Sequence, residues 1–251
     1  MRARASTKKA SNAGAERSSP NPGAFRSSRT KPLGVTAYEV LKAAIVNCEL
    51  QPGTETSQAE LMGRYQVTVA QGRYALVRLA QEGWVTALPQ RGYLVAPLTL
   101  KDLENVFAMR MMLEPPAMRI AAHRIDPETI SHLRKIGVDD YVHGDLRSIR
   151  RFLALNREFY MTIINCTGNQ LLVRTVDQLF DSANRLLFYH MVYSYQGTVV
   201  KRGHENLIDA LEARDGEAAY GIRLSGLEHG KQVIQQALMS MSQIQDINIA
   251  V

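Results

Sequence analysis

SQAELMGRYQVTVAQGRYALVRLAQEGW, residues 57–84, decides the fold. Ser57 followed three positions later by Glu60 is a capping box: the hydroxyl serves an unpaired amide of the first turn and the carboxylate reaches back to the cap. It opens a short helix that carries Leu61 and Met62. Thr68 and Gln71 repeat the device and open a helix with Ala75, Leu76 and Leu79 on one face, ending at Glu82-Gly83. Tyr65-Gln66-Val67 is the turn between the two. Upstream, Tyr38, Leu41, Ala44 and Ile45 recur at helical spacing and must stop before Pro52-Gly53. Downstream, Trp84-Val85 and Tyr93-Leu94-Val95 flank Pro89-Gln90-Arg91-Gly92, which reads as a two-stranded hairpin. Three helices followed by a hairpin within residues 34–98 predict a winged helix-turn-helix.

Beyond this unit everything reads as helix, so the fold class is mostly α. Thr99-Leu100-Lys101-Asp102 resembles a helix cap, and Leu103, Val106, Phe107, Arg110, Met111, Leu113 and Glu114 follow it. Pro115-Pro116 falls inside this pattern and predicts a kink or a split, because proline removes a backbone donor and clashes with the preceding turn. Further helices are expected near 127–137, 145–166, 170–192, 199–214 and 216–240, broken at Gly168-Asn169 and Arg214-Asp215-Gly216. Residues 99–240 therefore read as an all-α bundle of six or seven helices. Ala96-Pro97-Leu98 is the expected hinge, and residues 241–251 a C-terminal tail.

The chain has 251 residues and carries 30 Lys+Arg against 24 Asp+Glu, a net charge of +6. The excess is not spread evenly. Residues 1–33 hold eight basic residues against Glu16 alone, residues 34–100 hold five of each sign, and residues 101–251 hold 17 basic and 18 acidic. Such a basic tail, rich in Ser, Ala, Pro and Gly, has almost nothing to bury and is expected to be disordered. It reads as a solvated extension or as a DNA-tracking arm, and its composition is also that of a transit peptide. No apolar run approaches the roughly 20 residues of a membrane span, and no apolar stretch follows the basic residues as in a secretory signal. Cys48 and Cys166 supply neither a disulfide framework nor a zinc spacing. A cytoplasmic location without membrane contact is expected.

The order and spacing of these residues resemble the GntR-type bacterial transcription regulators, in the FadR-like subfamily with an all-helical (FCD-type) effector domain. Tyr38, Leu41, Lys42, Ala44, Ile45, Leu50, Pro52-Gly53, Glu60-Leu61, Ala75-Leu76, Leu79, Glu82-Gly83-Trp84-Val85 and Pro89, Arg91-Gly92, Val95 carry the resemblance in the first domain. Arg110, Leu113-Glu114-Pro115, Phe159, Gly168-Asn169 and His204, Leu207-Ile208, Ala210 carry it in the second. It implies that the helix opened by Thr68 enters the major groove while the wing meets backbone or minor groove. The candidate DNA-binding residues are Thr68, Gln71, Arg73, Tyr74, Arg91 and Gly92. Arg73 matches an arginine the family retains, Gln71 suits bidentate reading of adenine, and Thr68 or Tyr74 suits a phosphate. No acidic residue interrupts residues 68–81, whereas Arg78 reads equally well as a solvated position. Val69 and Ala59 stand where relatives carry arginine, Gln71 where many carry proline, and Cys48 where they carry a helix-ending glycine. A left-handed Cys48 is strained, so a different helix end is expected there.

Many relatives hold a divalent metal in the bundle through one Asp and three His. Those positions fall here on Asn156, Tyr160, His204 and Gly226. One imidazole among four cannot hold zinc, which takes about four donors, so no cofactor is expected, and His229 lies three residues past the last position. Instead Arg110, Asn156, Tyr160 and His204, with Arg185 as a further candidate, are expected to bind an effector directly. His204 reads alternatively as a hydrogen-bonded bundle histidine. Arg110 needs an anionic partner, either Glu114 one turn on or an effector carboxylate. Phe159, Phe188, Tyr189 and Tyr193 hint at an effector larger or more apolar than a small hydroxy acid. The expected function is a ligand-responsive, homodimeric regulator that binds double-stranded operator DNA, most simply a repressor of a metabolic or catabolic operon released by a carboxylate-bearing effector. The alternative is a helical interaction module, or a regulator whose DNA binding is mainly non-specific. No nucleophile elbow, phosphate loop or paired catalytic carboxylates point to an enzyme.

Overall fold

The computed structural model describes residues 36–136, 141–193 and 199–243. The readings for the basic tail (1–33) and for residues 244–251 lie outside them. Three amphipathic helices open the fold: α1 (Ala37–Val46), α2 (Gln58–Tyr65) and α3 (Val69–Gln81). Capping boxes form at Ser57–Glu60 and Thr68–Gln71, and α1 carries another at Thr36–Glu39. Gln66 adopts the left-handed conformation (φ 50°) that turns the chain from α2 toward α3. Leu41, Ile45, Leu61, Leu76 and Leu79 meet in one core with Val85 and Val95.

The wing has one more strand than the hairpin expected from the sequence. β2 (Val85–Leu88) and β3 (Gly92–Val95) pair antiparallel, and β1 (Glu55–Thr56) adds to the other edge of β3, giving the order β1-β3-β2. Two residues without an alternating pattern carry too little signal to be read as a strand. In this sheet Thr56 lies opposite Tyr93, beside Gly92. Gly92 has φ +115°, and a Cβ there would stand 2.4 Å from the Thr56 carbonyl oxygen.

The end of α1 also departs from expectation. Cys48 keeps the left-handed conformation, φ 52°, although it is not glycine. Its side chain is buried within the bundle core rather than the winged-helix core. Packing Sγ there offsets a left-handed strain of about 1–2 kcal/mol.

The second domain comprises α4 (Leu100–Ala122), α5 (Pro127–Ile136), α6 (Leu146–Asn165), α7 (Gln170–Tyr193), α8 (Val199–Glu212) and α9 (Gly216–Gln243). Thr99 and Asp102 cap α4 reciprocally. α4 runs unbroken through Pro115-Pro116, so the predicted split does not occur. Each internal proline costs about 3 kcal/mol, and apolar burial of Ala117, Met118, Ala121 and Ala122 in the bundle core offsets it. Leu98, in the expected hinge, is buried with Leu103, Phe107, Leu186, Leu227, Ile234 and Leu238.

Gly92→Ala is expected to lower stability by about 2 kcal/mol or more, from positive-φ strain and the clash with the Thr56 carbonyl. Equilibrium chemical denaturation checks this, and a midpoint equal to the parent's would contradict it.

Candidate functional sites: an exposed helix face and a buried polar cluster

The first site is the exposed face of α3. Thr68 is its N-cap, and the Thr68 hydroxyl donates to Gln71 Oε1 at 2.9 Å. The same Oε1 accepts the Thr68 amide at 3.4 Å. Bidentate reading of adenine uses both the oxygen and the nitrogen of the side-chain amide. Gln71 must therefore leave the cap to read a base in that way. Arg73 and Tyr74 point outward, Tyr74 being 73% exposed, and Arg73 makes no ion pair among the described residues. Val69 and Val77 flank them, also exposed. Arg78 is engaged instead: its Nε lies 3.0 Å from Glu82 Oε1, and its guanidinium stacks 3.8 Å from the Tyr38 ring centroid.

Arg91 stands on the wing and pairs with Glu55 at 2.7 Å, both side chains being exposed. An exposed pair of this kind is worth under about 1 kcal/mol, so little holds the guanidinium to Glu55. Gly92 contributes through its missing side chain, which lets β3 pass close over Thr56.

The second site lies inside the bundle. Glu114 is 0% exposed and is held by two arginines, Arg110 (3% exposed) on its own helix and Arg223 (5%) on α9. Arg110 Nε lies 2.6 Å from Glu114 Oε1, and Arg223 Nε lies 2.7 Å from Oε2, which Arg223 Nη2 also contacts. Burial pushes the Glu114 carboxyl up, but Arg110 and then Arg223 pull it below its ordinary range, so it stays ionised. Two guanidiniums against one carboxylate leave a surplus of one positive charge.

Aromatic faces receive that charge. Arg223 lies 3.4 Å from the Tyr160 ring centroid, and Arg110 lies 4.8 Å from that of Phe180. His204 stacks on Phe159 with centroids 4.2 Å apart and meets the edge of Tyr160 at 5.2 Å. Neither ring nitrogen of His204 has a hydrogen-bond partner among the described residues. Burial, and after it Arg223, lowers its pKa to about 3, so the imidazole is neutral. Asn156 is buried on α6, one turn before Tyr160.

The structure thus brings together Arg110, Tyr160 and His204, but not Arg185. That side chain donates to the Ala96 carbonyl at 2.5 Å and lies 5.6 Å from the Trp84 ring centroid, at the junction of the two domains. Five residues along a helix turn the side chain by about 140°, so Arg185 leaves the face that Phe180 presents to the cluster. Phe188 packs under Arg150 and against Tyr189, and of the four aromatics singled out Phe159 is the one in contact with His204; the side chain of Tyr193 lies outside the described residues. Arg223 escaped sequence reading. Its signal was the need of Glu114 for a partner, which does not say which helix supplies it.

The donors do not fit a divalent metal. Asn156, Tyr160 and His204 occupy three of the relevant positions, and Gly226 offers no side chain at the fourth. Arg223 brings a fixed positive charge to the Tyr160 ring. Among the described residues no three His, Cys, Asp or Glu cluster closely enough to hold an ion.

Residues 33–95 match the family described as bacterial regulatory proteins, gntR family, and residues 105–224 match the FCD domain. The chain belongs to the GntR family, with an FCD domain behind its winged helix. The HTH-type transcriptional repressor RspR of Escherichia coli is 24% identical over 207 residues, 82% of this chain and 91% of that protein. The HTH-type transcriptional regulator YdhC of Bacillus subtilis is 22% identical, covering 85% of this chain and 96% of its own length. The solved structure of E. coli McbR/YncC shares the fold with a TM-score of 0.66 at 20% identity, over 80% of this chain and 95% of that one. This GntR-family chain is a transcriptional regulator that binds DNA, with an effector-binding domain, and not an enzyme. Among the described residues no helix is long and apolar enough to cross a membrane.

Glu114→Gln leaves Arg110 and Arg223 buried without an anion and is expected to cost about 3–5 kcal/mol in urea denaturation; a loss below 1 kcal/mol would contradict the arrangement. His204 generates a pH dependence with a definite sign. Its folded pKa lies below the ordinary 6.5, at about 3, so the unfolded state binds the extra proton within that window. Stability from His204 is complete above pH 6.5 and is lost as pH falls toward 3, by roughly 4–5 kcal/mol in all. His204→Phe should flatten that slope relative to the parent, and an unchanged slope would exclude His204 as its source.

Proposed function

We propose that this regulator is a homodimeric repressor of a metabolic or catabolic operon, released by a carboxylate-bearing small molecule that binds beside Arg110, Arg223, Tyr160, Asn156 and His204 without a metal ion. The observation that carries the reading is the buried charge surplus. A second guanidinium facing one carboxylate is costly in the interior, and a ligand anion removes that cost. Beside it, His204 offers a neutral imidazole with both nitrogens unpartnered among the described residues. Such a ring donates one hydrogen bond and accepts another.

Operator reading falls to the exposed face of α3, through Thr68, Arg73 and Tyr74, with Gln71 after release from its cap and Arg91 from the wing. Met109, Met112 and Ile120, exposed apolar side chains on α4, offer a strip for the second copy. A dimer then reads two half-sites on one DNA face. The repressor assignment is supported by RspR, a relative that is itself named a repressor.

Fluorescence anisotropy on the DNA upstream of the chain's own gene tests operator reading. Arg73→Ala should weaken specific binding by about ten-fold or more, the loss of one good base contact. An unchanged specific affinity would refute the role of Arg73. Uniform binding to all sequences that fades with salt would favour the mainly non-specific alternative, to which the exposed Val69 and Ala59 lend support. Treatment with EDTA should leave the melting temperature unchanged, whereas a fall restored by zinc or manganese would overturn the metal-free reading.

A further inference from the structure

One turn of α7 faces two ways. Phe180 stacks on Tyr160, ring centroids 6.3 Å apart, and lies under Arg110 in the buried cluster. Its neighbour Asp181 accepts from cations of both domains. Arg157 Nη1, on α6, lies 2.6 Å from Oδ1, and Lys42 Nζ, on α1 of the winged helix, lies 2.9 Å from Oδ2. Arg157 is shared in the same manner. It sits between Asn156 and Tyr160 in sequence, yet its side chain binds Asp181 and also Asp177, the latter at 2.6 Å.

On the winged-helix side the contacts continue to α3. Lys42 Nζ lies 5.4 Å from the Trp84 ring centroid and 3.9 Å from Glu82 Oε2. Glu82, the C-cap of α3, accepts from the Tyr38 hydroxyl at 2.5 Å, from Arg78 Nε at 3.0 Å and from the Trp84 indole at 3.2 Å. On the far side of the junction Arg185 approaches the same Trp84 ring.

We propose that Asp181 is the positioning residue that couples the buried cluster to the DNA-reading domain, by tying Lys42 to the same helical turn that carries Phe180. The proposal rests on reading the cluster as the effector site. Adjacent residues on a packed helix move together, so a ligand that displaces Phe180 moves the Asp181 carboxylate. Its two oxygens are each committed to one cation, and the half-buried Lys42 contact is directional, so a displacement breaks it rather than stretching it. Losing it removes the tie between the bundle and the Lys42–Glu82 contacts at the C-cap of α3, while Cys48 and Arg185 keep the two domains joined. The coupling available is the ligand's differential affinity for the docked and undocked arrangements.

Trp84 reports on this junction without any ligand, because it is the chain's only tryptophan and lies beside one cation from each domain. In the full-length protein Asp181→Asn should shift Trp84 emission to the red and speed its quenching by acrylamide. Asp181→Glu should restore the parent signal. Lys42→Met should reproduce the Asp181→Asn signal from the other side of the contact, which covers the case in which Asp181→Asn fails to fold by circular dichroism. The coupling itself is read by non-additivity. Phe180→Leu, or the milder Tyr160→Phe, should alter Trp84 emission in the parent background and leave it unaltered in the Lys42→Met or Asp181→Asn background. Equal shifts in both backgrounds, or a parent-like Trp84 signal in Asp181→Asn and Lys42→Met, would overturn the proposal. Since no effector is used, these outcomes are separate from a failure of the carboxylate reading, which shows instead as absent stabilisation by benzoate relative to benzamide in a thermal-shift assay.

Discussion

The bundle is organised around one carboxylate. Glu114 is completely buried, and its two oxygens are divided between Arg110 on its own helix and Arg223 on α9. Desolvating such a group is tolerable only when its partners are close and correctly aimed. The trio therefore fixes how α4 meets α9 and sets what surrounds it. Tyr160 lies under Arg223, Phe180 under Arg110, and His204 is held neutral beside them. It also explains why α4 stays continuous through Pro115-Pro116, since Glu114 and the buried residues on either side of the prolines fix both halves in one line.

Much of the fold was legible because it is written in local rules. The capping boxes at Ser57, Thr68 and Thr99 and the apolar spacing of Leu41, Ile45, Leu76 and Leu79 each depend on a few neighbouring residues. What escaped depends on contacts distant in sequence. β1 is two residues long and exists because β3 passes beside it. Cys48 keeps a conformation suited to glycine because its side chain finds the bundle core. Arg223 faces Glu114 across 109 positions, and no spacing rule joins them. Arg185, a further candidate for the effector cluster, instead lies at the domain junction, because five residues rotate it away from Phe180.

Charge follows the same division between composition and geometry. Residues 1–33 carry the positive excess, eight basic residues against one acidic, and the folded domains are near neutrality. The winged helix is neutral in sum, and on α3 an acid-free stretch presents Arg73 without an ion pair among the described residues. The two sites use cations oppositely. On α3 an arginine is left in solvent, while in the bundle two are buried and only partly compensated.

The most direct test of the account is selection of bound DNA from a pool of random duplexes by the full-length protein. The expected result is enrichment of a two-fold symmetric sequence whose half-sites lie about one helical turn, roughly 10 base pairs, apart or at a multiple of it, with the enrichment lost in Arg73→Ala. A pool that is retained without any enriched sequence would contradict it.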